Sequence, residues 1–103
     1  MTPRIEKDFL GTLEIPKDVY YGVQTMRAKE NFPITGLVVD PELIRAFAIV
    51  KKSTTQAHLA TGQLDETIAN AIIQAADEII AGKLHDQFIV DPIQGGAGTS
   101  LNM

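Results

Sequence analysis

The rhythm of apolar and polar positions changes along the chain, and each change predicts an element. From Arg4 to Pro16, apolar residues stand at strand spacing on both sides of Leu10-Gly11-Thr12. This predicts a β-hairpin over about 4–16 with the glycine in its turn. A lone two-stranded hairpin is marginal in water, so this one needs a surface to lie against. The stretch from Val19 to Ala28 predicts a short helix over about 20–30 that stops before Asn31-Phe32-Pro33. Its Tyr20-Tyr21 pair serves as core, interface or pocket wall, packing being the ordinary use of such side chains.

Helical spacing then takes over. Asp40-Pro41-Glu42 combines a good N-cap, a proline suited to the first helical position and an acid that complements the helix dipole. Leu43, Ile44, Phe47, Val50 and Ala57 form one broad face, and Gly62 stops the helix, which spans about 41–60. Asp65 caps a second helix over about 65–81, with Ile68, Ile72, Ile73, Ala76, Ile79 and Ile80 at three- and four-residue steps and Gly82 at its end. A short connection makes the two an antiparallel pair. Their apolar stripes are scaffold. Beyond Lys83 the pattern becomes irregular until the glycine-rich loop at about 94–100.

At 103 residues there is room for one domain, 1–103. Hydrophobic residues make up 45% and charged residues 21%, a balance that points to a globular chain and away from disorder. The formal charge of −4 lacks the basic footprint of a nucleic-acid binder, and Lys51-Lys52 reads as a solvated helix face. There is no run long enough to span a membrane and no apolar signal core, so a cytoplasmic location is expected. Without cysteine, thiolate chemistry and disulfides are excluded. His58 and His85 stand too far apart for a zinc motif, so no metal site is expected.

Gly95-Gly96-Ala97-Gly98-Thr99-Ser100-Leu101-Asn102-Met103 carries the candidate chemistry. Glycines let a backbone turn sharply and approach a ligand. Thr99 or Ser100 is placed to cap a following helix, which would gather hydroxyls and backbone N–H groups at the positive end of a helix dipole. No lysine follows Gly98, so the loop is not a phosphate-binding P-loop, and it fits neither the dinucleotide fingerprint nor a nucleophile elbow. Two uses stay open from spacing alone: a flexible turn with an ordinary helix cap, or an anion site.

Asp91-Pro92-Ile93-Gln94 followed by that loop resembles the first signature block of the aspartate ammonia-lyases (aspartases), in the aspartase/fumarase superfamily. Arg4-Ile5-Glu6-Lys7-Asp8, Tyr20-Tyr21-Gly22-Val23-Gln24-Thr25-Met26-Arg27-Ala28, Glu30-Asn31-Phe32-Pro33-Ile34 and Ala75 to Lys83 resemble the same family in order. The class II fumarases are the nearest rival. Their loop resembles Trp-Gln-Thr/Ser-Gly-Ser-Gly-Thr, whereas this chain has Ile93-Gln94-Gly95-Gly96-Ala97-Gly98-Thr99, and Tyr21-Gly22-Val23-Gln24 stands where they have Trp-Gly-Ala-Gln. Both departures favour the aspartases.

The resemblance implies a mainly α chain: the N-terminal domain of the aspartase/fumarase fold, a short β-hairpin plus antiparallel helices, lacking the central long-helix bundle. It implies reversible deamination of L-aspartate to fumarate and ammonia, a small dicarboxylate substrate, no organic cofactor and a homotetramer in the full-length enzyme. By position, Thr99 is the hydroxyl for a substrate carboxylate, with Ser100 and Asn102 secondary and Gly98 allowing close approach. Arg27 matches an arginine that recognises carboxylate directly or organises the site, the alternative being an ion pair with an acid such as Glu30. No catalytic base is expected among these residues, so the chain is expected to be the front of a larger lyase, inactive alone. Faces that pack on the absent bundle predict self-association, or a disordered stretch over about the last eight residues. The alternatives are a class II fumarase fragment, a non-enzymatic anion-binding module, or a piece that docks onto full-length subunits.

Overall fold

The computed structural model describes residues 2–103. It is mainly helical, at 53%, with one antiparallel strand pair, and so carries the expected fold class. Strand β1 (Arg4–Asp8) pairs with β2 (Gly11–Ile15) in the register Arg4 opposite Ile15 through Asp8 opposite Gly11. The turn is Phe9-Leu10, so Gly11 opens β2 at φ +122 rather than sitting in the turn. Helix α1 covers Val23–Asn31 and starts later than the apolar pattern suggested, because Tyr20 to Gly22 remain extended or irregular. Helices α2 (Pro41–Ala60) and α3 (Glu66–Ile80) follow, and the chain ends in a helical turn, α4 (Thr99–Asn102).

These elements form two compact units, the helical hairpin Asp40–His85 being inserted in sequence within the other. In the inserted unit, Asp40 accepts the Glu42 N–H at 2.8 Å, and Asp65 accepts those of Thr67 and Ile68 at 3.0 and 3.3 Å. Both helices thus start where Asp can satisfy orphan donors. What they bury overlaps the predicted stripes only in part, at Ile44 and Ala76. Ile44, Ala48 and Thr55 on α2 and Ala69 and Ala76 on α3 are buried, while Leu43, Val50 and Ile68 are exposed. Small side chains let two helices approach closely, and a single neighbour covers less than the whole apolar face of either.

The other unit contains the hairpin, α1 and the segment from Asp86 onward. Its hairpin is held by Ile15 of β2, which is fully buried, and by polar contacts. Arg4 donates to Glu6 at 2.7 Å and to the carbonyls of Val19 (2.6 Å) and Tyr21, gathering the link that leads into α1. Glu6 in turn accepts the Val23 N–H at 2.9 Å, capping α1 from a strand because its own N-cap, Gly22, has no side chain to do so. A Cβ at Gly22 would lie 3.0 Å from that Glu6 oxygen, so the absence of a side chain is what admits the carboxylate.

Candidate functional site

Two segments of the unit that contains the β-hairpin carry the residues singled out above. Arg27 lies on the face of α1 turned toward the hairpin. Its Nε and Nη2 each donate to Asp8 at 3.0 Å, and Nη2 also donates to the Gly11 carbonyl at 3.1 Å. The partner is therefore Asp8, on a strand, and not Glu30, one turn along the helix. A planar guanidinium matches a carboxylate with two parallel bonds, and Asp8 offers that geometry. The Arg27 guanidinium holds the Asp8 carboxyl below its ordinary range, against an opposing push from burial.

The glycine loop is ordered by the residues before it. Asp91 is buried and accepts from Thr35 N–H (2.7 Å), Thr35 Oγ1 (2.8 Å), Gly36 N–H (3.1 Å) and Ile93 N–H (2.9 Å). Burial pushes its pKa up, but these bonds outweigh it and the carboxyl sits below its ordinary value. Gln94 then donates to the Asp91 carbonyl at 2.9 Å and accepts the Leu101 N–H at 3.1 Å, so it bridges the two ends of the loop.

Within the loop, Gly96, Ala97 and Gly98 all have left-handed φ, at 67°, 56° and 82°. Ala97 adopts there a conformation that costs an L residue energy and that clusters at ligand-contacting segments. The N-cap of α4 is Gly98, and no side chain caps it. The expected capping by Thr99 or Ser100 is thus corrected: α4 begins at Thr99, and the Thr99 hydroxyl points back to the Gly96 carbonyl. Ser100 is buried, while Gly98, Thr99 and Asn102 are exposed.

A groove of about 330 Å³ lies between the hairpin end (Asp8, Phe9, Leu10), the α1 face with Gln24, Arg27 and Asn31, and Ser100 at the start of α4. The structure thus brings Arg27 and Ser100 to one cavity. Thr99, Gly98 and Asn102 are outside its lining. Its lining combines the paired Asp8 and Arg27, the amides of Gln24 and Asn31 and the Ser100 hydroxyl with the apolar Phe9 and Leu10, so hydrogen-bonding groups and apolar surface face one open groove. Sequence reasoning missed Asp8 and Gln94 as organisers. An Asp just before a two-residue turn was the available signal, because its side chain can accept the N–H two residues on, as it does from Leu10 at 2.9 Å.

Elsewhere, Tyr21 is half-buried while Tyr20 is 78% exposed, so the aromatic pair divides between packing and surface. His85 bonds the Ile79 carbonyl at 2.9 Å, closing the end of α3. Among the described residues there is no cluster of three or more metal-ligating side chains, and no helix is long and apolar enough to cross a membrane.

Residues 11–103 match the model of a family described as Lyase. The chain belongs to this lyase family. An aspartate ammonia-lyase of a Bacillus species is 66% identical over 100 residues, which are 97% of this chain and 21% of that protein. A class II fumarate hydratase of Halobacterium salinarum is 50% identical, again over 97% of this chain and 21% of the relative. Among solved structures, the fumarate lyase:delta crystallin of Brucella melitensis superposes with a TM-score of 0.94 at 48% identity, covering 99% of this chain and 24% of that one. The lyase chain therefore spans about a fifth of the length of these curated relatives. The resemblance read from residues 91–103 and the segments collinear with it extends over essentially all of it.

Proposed function

We propose that this lyase chain supplies the carboxylate-binding loop of an aspartate ammonia-lyase, which converts L-aspartate reversibly to fumarate and ammonia without an organic cofactor. The observation that carries the reading is the loop itself. Three consecutive left-handed residues deliver the chain into a helical turn bearing Thr99 and Ser100, and Ser100 shares a groove with Arg27. The 66% identity to a relative of that name supports it.

Removing a proton from the carbon beside the distal carboxylate places a second negative charge on that group. Donors held where the charge develops lower the barrier. In this reading the Thr99 hydroxyl swings from the Gly96 carbonyl to the substrate carboxylate. Gly98 admits the substrate closely, Ser100 and Asn102 add polar contacts, and Arg27 organises the wall opposite. The proton-abstracting base comes from elsewhere in the longer protein, which assembles as a homotetramer in the cytoplasm.

Fumarate absorbance during incubation with aspartate tests this. Full-length enzyme is expected to turn over, and the 103-residue chain alone is not. Robust turnover by the isolated chain would overturn the division of labour. In the full-length enzyme, Thr99→Val should lower kcat/KM by about a hundredfold, the scale of one lost transition-state donor. An unchanged kcat/KM would remove Thr99 from the site. The 50% identity to a class II fumarate hydratase favours a second reading, hydration of fumarate to malate. Malate formed from fumarate in the absence of ammonia would select it.

A further inference from the structure

The hairpin end is held in an unusual way. Phe9 and Leu10, which form one wall of the groove, are 108% and 77% exposed, so packing does not fix them. Their anchor is polar. Asp8 takes two bonds from Arg27 and one from the Leu10 N–H, and Arg27 Nη2 reaches over to the Gly11 carbonyl. Both ends of the turn are thus tied to α1 through a single guanidinium. Two of the three Arg27 nitrogens are engaged in this clamp, so the arginine is not available to grip a substrate carboxylate with a two-bond fork.

We propose that Asp8 is a positioning residue of the carboxylate site: with Arg27 it clamps the Phe9-Leu10 turn against α1 and so fixes the groove wall that faces Ser100. The proposal rests on the lyase reading above and narrows it. Arg27 acts through the wall, and its charge is matched by Asp8 before any substrate arrives. Residues that act as one unit lose function together, so removing either half of the clamp removes all of its effect.

The test is a double-mutant cycle in the full-length enzyme, reading KM and kcat for aspartate separately. Asp8→Asn and Arg27→Lys each raise KM about tenfold and leave kcat within about twofold, and the double variant is no worse than either. Lysine fails at 27 because one point charge cannot bridge Asp8 and Gly11 together. Asp8→Glu, which keeps the charge, restores KM to within about threefold. If Asp8→Asn leaves KM unchanged or lowers it while Arg27→Lys raises it, Arg27 grips substrate on its own and the proposal is overturned. A loss confined to kcat in both variants, the mark of a smaller folded fraction, also overturns it. Should Asp8→Asn not fold, Asp8→Glu decides: an intermediate KM supports the clamp, and a KM equal to that of Arg27→Lys refutes it. Failure of the lyase reading itself is separate, since it shows as no aspartate turnover by the unmodified enzyme.

Discussion

Asp91 keeps its charge at 6% exposure because donors from Thr35, Gly36 and Ile93 converge on its two oxygens. Removing the acceptor would unmake four part-buried hydrogen bonds at once, whereas the amide oxygen of an asparagine could still accept some of them. Asp91→Ala is therefore expected to lower the melting temperature by more than Asp91→Asn, with circular dichroism as the check. Three carboxyls in this unit ionise below their ordinary values. Glu6 is lowered by Arg4 and by the Val23 N–H, Asp8 by Arg27, and Asp91 by its hydrogen bonds in spite of burial. In each case the unfolded chain takes up a proton at higher pH than the folded one. Their stabilisation is complete above roughly pH 5 and is lost as pH falls through the unfolded and then the lowered folded values. Thermal melts from pH 7 to 3 should show a falling midpoint in the unmodified protein, and a shallower fall in Asp91→Asn, which has one such group fewer.

At the scale of elements, caps outweigh surface ion pairs. Asp40→Ala and Asp65→Ala should each cost about 1 kcal/mol, the usual worth of an N-cap side chain. Asp65 is expected to cost more than Asp40, since it accepts two N–H groups where Asp40 accepts one. The Lys52–Asp77 bridge links α2 to α3 at 2.6 Å but is 32% and 51% exposed. Lys52→Ala should therefore cost less than about 1 kcal/mol. Denaturant titration of the three variants would give the order. A lysine substitution as damaging as the caps would mean that the bridge, and not helix initiation, holds the helical hairpin.

For the molecule as a whole, exposed apolar surface is the dominant feature. Ile5, Phe9 and Leu10 stand out on one unit, and Val50 and Ile68 on the other, at 53% exposure or more. Surfaces of this kind mark places where protein meets protein. The 103-residue chain is expected to sediment as more than a monomer at micromolar concentration, and Val50→Lys to shift it toward one. Toward residue 103, Leu101 N–H donates to Gln94 and Met103 N–H to the Thr99 carbonyl at 3.1 Å.

Local chemistry was legible in the sequence wherever it decides the outcome alone. Asp40-Pro41 and Asp65 announced helix starts, the apolar rhythm announced helices and a hairpin, and the glycine-rich run announced a sharp turn. Contacts between residues distant along the chain were not legible, because spacing carries no information on which side chains meet. Only folding could bring Asp8 to Arg27, Glu6 to the Val23 N–H, and Asp91 to Thr35. The same holds for the helical stripes: sequence marks a face as apolar, and the position of a neighbour decides that Ala48, Ala69 and Ala76 are buried while Leu43 and Val50 are not.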